Sequence, residues 1–332
     1  MKPFLTLADQ VAKLKSRGLI ISNEDNAKKV LAKENYYNVI NGYKKPFLKK
    51  DLSGNILIPE QYVENCRFEE IHSLHNFDRD MRMLLLGFLL KFETHFKTSC
   101  AYNFAEEYSE PYAYINVQNY SNEREDLTHV LNNIAALSNE INRNTNKHKA
   151  KSAYISHYVE NHESVPLWVL VNSLTIGNMS YFYSAVDSKI KGKIARDFSS
   201  QYKNEYNTTE KIDIGEIAQI VKVVNLFRNV CAHEEVLYFF KLRKPIRADL
   251  FTKYFVGDRI NINKDTFNNS NLFTLICILK LVMPKIDYVD FIDKIDCLFK
   301  DYDEKFSAVK FSDIILLSGF NQTWKEDILK AI

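Results

Sequence analysis

Four times in this sequence a histidine stands five positions after an arginine: Arg67/His72, Arg124/His129, Arg143/His148 and Arg228/His233. The two side chains have complementary chemistry. Histidine titrates near neutrality and can take and return a proton, which is worth about 10²–10⁴-fold in rate. Arginine stays charged and presents a forked set of donors that matches phosphate oxygens. Together they fit a reaction at a phosphodiester. Spacing alone does not choose among four copies, and two of them share an asparagine after the arginine (RNTNKH and RNVCAH).

The elements that would carry each pair separate them. Residues 138–150 (SNEINRNTNKHKA) have no apolar face and predict a loop, which would leave Arg143 and His148 unfixed. Residues 211–240 give the strongest helical pattern in the chain. There Ile214, Ile217, Val221, Val224 and Phe227 or Arg228 fall at three- and four-residue steps on one stripe. A helix running to 240 would carry Arg228, Asn229 and His233, the catalytic candidates, on a packed support. His233 is assigned to general acid/base work, Arg228 to phosphate, and Asn229 to orienting His233 or a ribose. Asn229 and His233 share a face, whereas Arg228 lies about 140° round the helix from His233. The long arginine, a break in the helix or a second copy of the chain must close that gap. The plainer alternative pairs Arg228 with Glu234 or Glu235 of a neighbouring chain and makes His233 a core histidine.

Supporting candidates are Glu234 and two residues of a long helical segment, Arg82 and Glu93. Asp78, Arg82, Glu93 and Lys97 fall near one stripe by 100° steps, and a simple Glu93–Lys97 surface pair is the competing reading. Cys231 has no cationic neighbour to activate it and is read as packing. Basic residues near aromatics, Lys44 and Lys45 in one stretch and Lys241, Arg243, Lys244 and Arg247 in another, could hold single-stranded RNA. No Cys/His cluster has metal-ligand spacing, so neither a metal nor another cofactor is expected.

The rest of the chain predicts helices. Nine glycines and seven prolines in 332 residues favour long helices over a many-stranded sheet. Residues 7–18 start after Thr6 and stop at Gly18, residues 22–35 open with Ser22 as cap, and residues 61–107 give the longest signal, with a break near Asn76. Residues 50–60 read as a turn with at most a short strand. Helical segments resume at 166–186, 270–283, 288–300 and 322–331. The expected class is all-α with minimal β. Net charge is only +2, but residues 1–50 carry eleven basic against four acidic residues. Such a basic arm fits phosphate contact or a solvated helix face. Five scattered cysteines, no signal-peptide core and no apolar run near the roughly 20 residues of a membrane span lead to the expectation of a reduced, cytoplasmic protein that does not enter a membrane.

Several segments, in order, resemble the Abi-like abortive-infection family that includes AbiD and AbiF. NYYNVINGYKKPF (35–47) is similar to its Tyr-Tyr…Gly-Tyr…Pro-Phe signature, and residues 77–108 to its long helix with Asp-x3-Arg, a central Glu and a Lys-Thr. PLWVLVNSLTIGNMSYFY (166–183) matches a Pro-Leu-Trp…Gly…Ser…Tyr segment, with Ile176 where an aromatic is more usual. RNVCAHEEVLYFF (228–240) matches an Arg-Asn…Cys-Ala-His-Glu segment, and GFNQTWKEDIL (319–329) the C-terminal end. The resemblance implies a HEPN helical core over 61–248, between a basic helical segment 1–60 and a C-terminal helical segment 249–332. It implies a metal-independent endoribonuclease acting as a phage-defence toxin, with RNA as substrate and Arg228 and His233 as the site. It also implies a homodimer with a composite groove and, for the AbiF-like branch, a small non-coding RNA partner. The alternative is a non-catalytic HEPN-type module that binds RNA or a protein partner.

Overall fold

The computed structural model describes residues 4–145, 152–247, 253–257, 260–261 and 264–330. The chain is all-α. Helices α1 (Leu7–Ser16) and α2 (Glu24–Glu34) form an N-terminal pair, followed by a π-helical turn at Tyr37–Asn41. Then come α3 (Phe68–Glu107), α4 (Leu127–Asn142), α5 (Ala153–Asn161), the short α6 (Leu167–Leu170), α7 (Ile176–Ala185), α8 (Ser188–Tyr206) and α9 (Ile214–Ala232). Further helices cover Lys264–Asn269, Leu272–Leu279, Lys285–Asp303, Phe311–Leu317 and Trp324–Lys330. Among the described residues the only ladder is the pair Val256–Gly257 and Ile260–Asn261. The strand expected near 53–60 is reduced to isolated bridges, Lys50 with Ile56 and Leu48 with Tyr62.

The scaffold is α3. Its 40 residues make a rod about 60 Å long at 1.5 Å per residue. Aromatic and aliphatic side chains at many angles around it are buried, among them Phe68, Leu74, Met81, Leu85, Phe92 and Phe104. A helix apolar on most sides is a buried helix, and α6, α7, α8, α9 and Lys285–Asp303 all pack on it. The break expected near Asn76 is absent. Asn76 is half-buried and holds Arg79 one turn on, so the polar residue supports the helix. The helix does begin later than expected, at Phe68, because Tyr62 and Arg67 are tied by bridges to Leu48 and Ile20 and the chain turns between them at Glu64–Asn65 (Asn65 φ +61°).

Caps account for most other boundaries. Thr6 and Asp9 form a reciprocal capping box on α1, and Gly18 (φ +89°) takes the left-handed turn after it. Asn23, not Ser22, caps α2 by accepting the Asn26 N–H at 2.9 Å. The loop expected from 138 starts later, since α4 continues to Asn142 with Leu137 buried beneath it. The buried apolar residues form one cluster reaching from Val11 to Ile328.

Glu70, on the first turn of α3, is tied to the segment that follows Lys285–Asp303. This nearly inaccessible carboxylate accepts the backbone N–H groups of Ser307 and Ala308, both at 2.9 Å, and the Ser307 hydroxyl at 3.1 Å. Truncating one partner strands the others without solvent. Glu70→Ala is expected to lower unfolding stability by about 2–3 kcal/mol. A urea midpoint equal to that of the unsubstituted chain would contradict it.

Candidate active site

The helix that carries the Arg-x4-His pair is fixed at both ends. At its start Asp213 accepts the Glu216 N–H, and Glu216 accepts the Asp213 N–H, both at 2.8 Å. Along it, Ile217, Ile220, Val221, Val224 and Phe227 bury one face. It stops at Ala232, eight residues short of the expected end. His233 is the cap residue, its N–H donating to the Asn229 carbonyl at 2.9 Å. Glu234 follows in the left-handed conformation (φ +55°), and the Glu235 N–H returns to the Val230 carbonyl at 3.0 Å. This is a Schellman-type stop, which turns the chain sharply away from the helix axis. His233 therefore stands exposed at a helix end rather than in a core.

Beyond the turn the chain is held by α3. Asp78, with no exposed surface, accepts the N–H of Leu237 at 2.9 Å and of Tyr238 at 2.7 Å. It also accepts the Tyr43 hydroxyl at 2.7 Å and pairs with Arg82 at 2.5 Å. Arg82 in turn donates to the Glu235 carbonyl at 3.2 Å and to the Tyr43 hydroxyl at 3.1 Å. Burial pushes the Tyr43 phenol up, so it remains a donor. Gly42 belongs to this contact as well: a Cβ there would stand 3.2 Å from the Val236 side chain.

The arginine and the histidine face different surroundings. The half-buried Arg228 approaches Glu93 on α3, with Nε 3.6 Å from Oε2. Lys97 takes the other carboxylate oxygen of Glu93 at 2.7 Å. Neither Arg228 Nε nor Glu93 Oε2 has a hydrogen-bond partner, although both are buried. The Glu93–Lys97 pair exists, but it lies inside the protein and includes the arginine of the motif. His233 lines a cavity of about 670 Å³ together with Lys33, Tyr37, His75, Arg79 and Arg82. Arg228 is not among the residues that line it. Cys231 is inert packing, since burial pushes its thiol up to about 12.

A family model described as Abi-like protein matches residues 29–239. The chain belongs to the Abi-like protein family. No curated protein and no solved structure matches it. Membership of the Abi-like family suggests a part in abortive infection, a defence against phage. The matched span takes in Asp78, Arg82, Glu93, Arg228, Asn229 and His233, and leaves out Lys241, Arg243, Lys244 and Arg247.

Of the other Arg-x4-His pairs in this Abi-like chain, Arg67 precedes α3 and His72 is half-buried on it, while Arg124 and His129 are both exposed. His148 lies outside the described residues; Arg143 sits 3.4 Å from Glu140. The basic stretches divide. Lys44 is committed to Glu60 at 2.8 Å, whereas Lys45 is exposed and stacks over the Phe239 ring at 4.8 Å. Lys241, Arg243, Lys244 and Arg247 are exposed and line a second cavity, of about 550 Å³, against Lys222 and Leu226 of α9. Glu234 is exposed beside His233, and its clearest role is the left-handed turn. Among the described residues no helix is long and apolar enough to cross a membrane.

Of the walls of the His233 cavity, sequence reading named Arg82 but passed over Lys33, Tyr37, His75 and Arg79. His72, His75, Arg79 and Arg82 recur at three- and four-residue steps along α3, a polar stripe of which the sequence reading singled out only His72 and Arg82. Glu34 joins His72 and His75 from α2, with donor atoms of all three within 4.8 Å of one another. Burial keeps both imidazoles below their usual pKa. No spacing rule reaches across such a gap in sequence. Because Asp78 anchors the backbone behind His233, Asp78→Ala leaves Arg82 buried without its counter-charge. The expected cost is about 3–5 kcal/mol in denaturant unfolding. Faster amide exchange at Leu237 and Tyr238 is the accompanying sign, and unchanged exchange there would refute the anchoring role.

Proposed function

We propose that this chain is a metal-independent endoribonuclease of the HEPN type, the toxin of an abortive-infection response. The observation that carries the reading is the setting of His233. Of the described Arg-x4-His histidines, it alone lines the cavity walled by Lys33, Arg79 and Arg82. It also ends a helix locked by packing at one side and by Asp78 at the other. Such support holds a proton-transfer group in place, and Lys33, Arg79 and Arg82 bring donors for phosphate into a lining that also holds Glu34, Glu234 and Glu235.

The reaction uses the substrate's own nucleophile. The ribose 2′-oxygen attacks the adjacent phosphorus, its proton passing to a base, and the P–O5′ bond breaks as the 5′-oxygen takes up a proton. His233 performs the acid/base work and Arg228 stabilises the charge on the phosphorane oxygens. Asn229 orients His233 or the ribose, and Glu93 positions Arg228. The products are a 2′,3′-cyclic phosphate and a 5′-OH end. A small non-coding RNA controls the activity in this reading, and Lys45 with Lys241, Arg243 and Lys244 offers it an exposed basic surface. The hold of buried Glu93 on Arg228 favours one rival, a non-catalytic module that binds RNA or a partner. Purified protein assayed on RNA separates the two.

His233→Ala and Arg228→Ala should each lower cleavage by about 10² or more with helicity retained, while His129→Ala leaves it unchanged. Cleavage should also persist in EDTA, since His233 supplies the proton transfers and Arg228 the charge stabilisation in this reading. Tight RNA binding with no products from the unsubstituted chain would decide for the rival module.

The separation of Arg228 from the His233 cavity supports a site shared by two chains. A two-fold axis beside α9 would present both residues twice in one groove. The expected species in light scattering is a homodimer of the 38.8 kDa chain. Mixing inactive Arg228→Ala and His233→Ala proteins should restore part of the cleavage. An active protein that stays monomeric throughout would exclude the shared groove.

A further inference from the structure

On α3, His72 and His75 lie one turn apart, and Glu34 at the end of α2 closes on them. His75 Nδ1 is 3.2 Å from Glu34 Oε2. That is close to the separation of about 3.3 Å between two ligands of a tetrahedral ion with bonds of about 2.0 Å. The third donor lies within 4.8 Å of these two, a distance that side-chain rotation can close. Aromatic rings hold the imidazoles: Tyr43 meets His75 edge-on at 5.1 Å, and Phe68 stacks near His72 at 6.3 Å. Two imidazoles and one carboxylate form a donor set for borderline divalent ions, zinc above all.

A cation already stands between two of these donors. Arg79 Nη2 is 2.5 Å from Glu34 Oε2 and 3.1 Å from His75 Nδ1. A guanidinium can only donate, so His75 Nδ1 meets it with a lone pair, the same lone pair that a metal needs. Asn76 Oδ1 is the other anchor of Arg79, at 3.1 Å. The Arg79 side chain is 39% exposed and borders the large cavity, so it has somewhere to go.

We propose that Glu34, His72 and His75 form a binding site for a zinc-class divalent ion, with Arg79 as the built-in competitor that the ion displaces. The fourth coordination position opens toward the cavity and takes water. The site borders the His233 cavity and shares Arg79 with it, but the assignment of Glu34, His72 and His75 as ligands does not rest on the cleavage chemistry.

The test uses the full chain, stripped of metal with chelator and titrated with zinc chloride in a calorimeter. Cobalt(II) chloride, followed by visible absorption, reports ligand geometry. One ion per chain is expected, with the bands of a tetrahedral nitrogen/oxygen site for cobalt. Glu34→Gln and His75→Ala should each weaken binding by about tenfold or more. Arg79→Ala should bind zinc more tightly than the unsubstituted chain, an effect that a structural role for these residues would not produce. Should His75→Ala fail to fold, as circular dichroism would show, the Glu34→Gln and Arg79→Ala titrations decide alone. The proposal is overturned by the absence of saturable binding in both the unsubstituted and the Arg79→Ala proteins. It is equally overturned by zinc affinity that Glu34→Gln and Arg79→Ala leave unchanged.

Discussion

A carboxylate sealed from water is costly unless every lone pair finds a donor. Asp78 finds four: the Arg82 guanidinium, the Tyr43 hydroxyl and the backbone N–H groups of Leu237 and Tyr238. These donors come from three separated parts of the chain, so one buried anion sets how the N-terminal segment, α3 and the exit from α9 meet. An apolar cluster of similar volume could supply as much stability. It could not fix which two amides stand against α3, and those amides set the direction of the chain behind His233.

The remaining architecture follows from giving this anion a stiff carrier. With large side chains buried along α3, other helices must pack around it and cannot slide off. Glu93 lies eleven residues, close to three turns, beyond Arg82 on the same rod, and there it meets Arg228. Two ion pairs on one rod thus bracket α9. The upper one is fully satisfied, whereas the lower leaves Arg228 Nε and Glu93 Oε2 without hydrogen bonds. An unsatisfied buried pair that includes the candidate catalytic arginine is energetically expensive, and a phosphate oxygen offers what the Nε lacks.

Much of this was legible in the residues. Caps and chain-breakers placed α1 and α2 to within a residue or two, and the apolar stripe from Ile214 located the start of α9. The Asp78-x3-Arg82 spacing marked a shared helix face. The end of α9 was not legible, because the apolar run Val236–Phe240 continues the hydrophobic pattern while the backbone has already turned at Glu234. That turn uses a glutamate in the left-handed conformation, where glycine or asparagine is the usual signal. The cavity walls were hidden for another reason. Lys33, Glu34 and Tyr37 reach His75 and Arg79 only through packing between helices, and a single sequence records no such pairing.

The Asp78 contacts also span almost half of the chain. Between the carboxylate and the amides it grips lie some 160 positions, |i−j| being 159 for Leu237 and 160 for Tyr238. During synthesis α3 leaves the ribosome long before those amides exist, and contacts so distant in sequence form late. Until residue 238 emerges, Asp78 lacks half of its donors and the cavity lacks the wall that carries His233. A chain that stops short of residue 237 therefore cannot assemble the pocket. Translation itself delays the moment at which the pocket that carries His233 can exist.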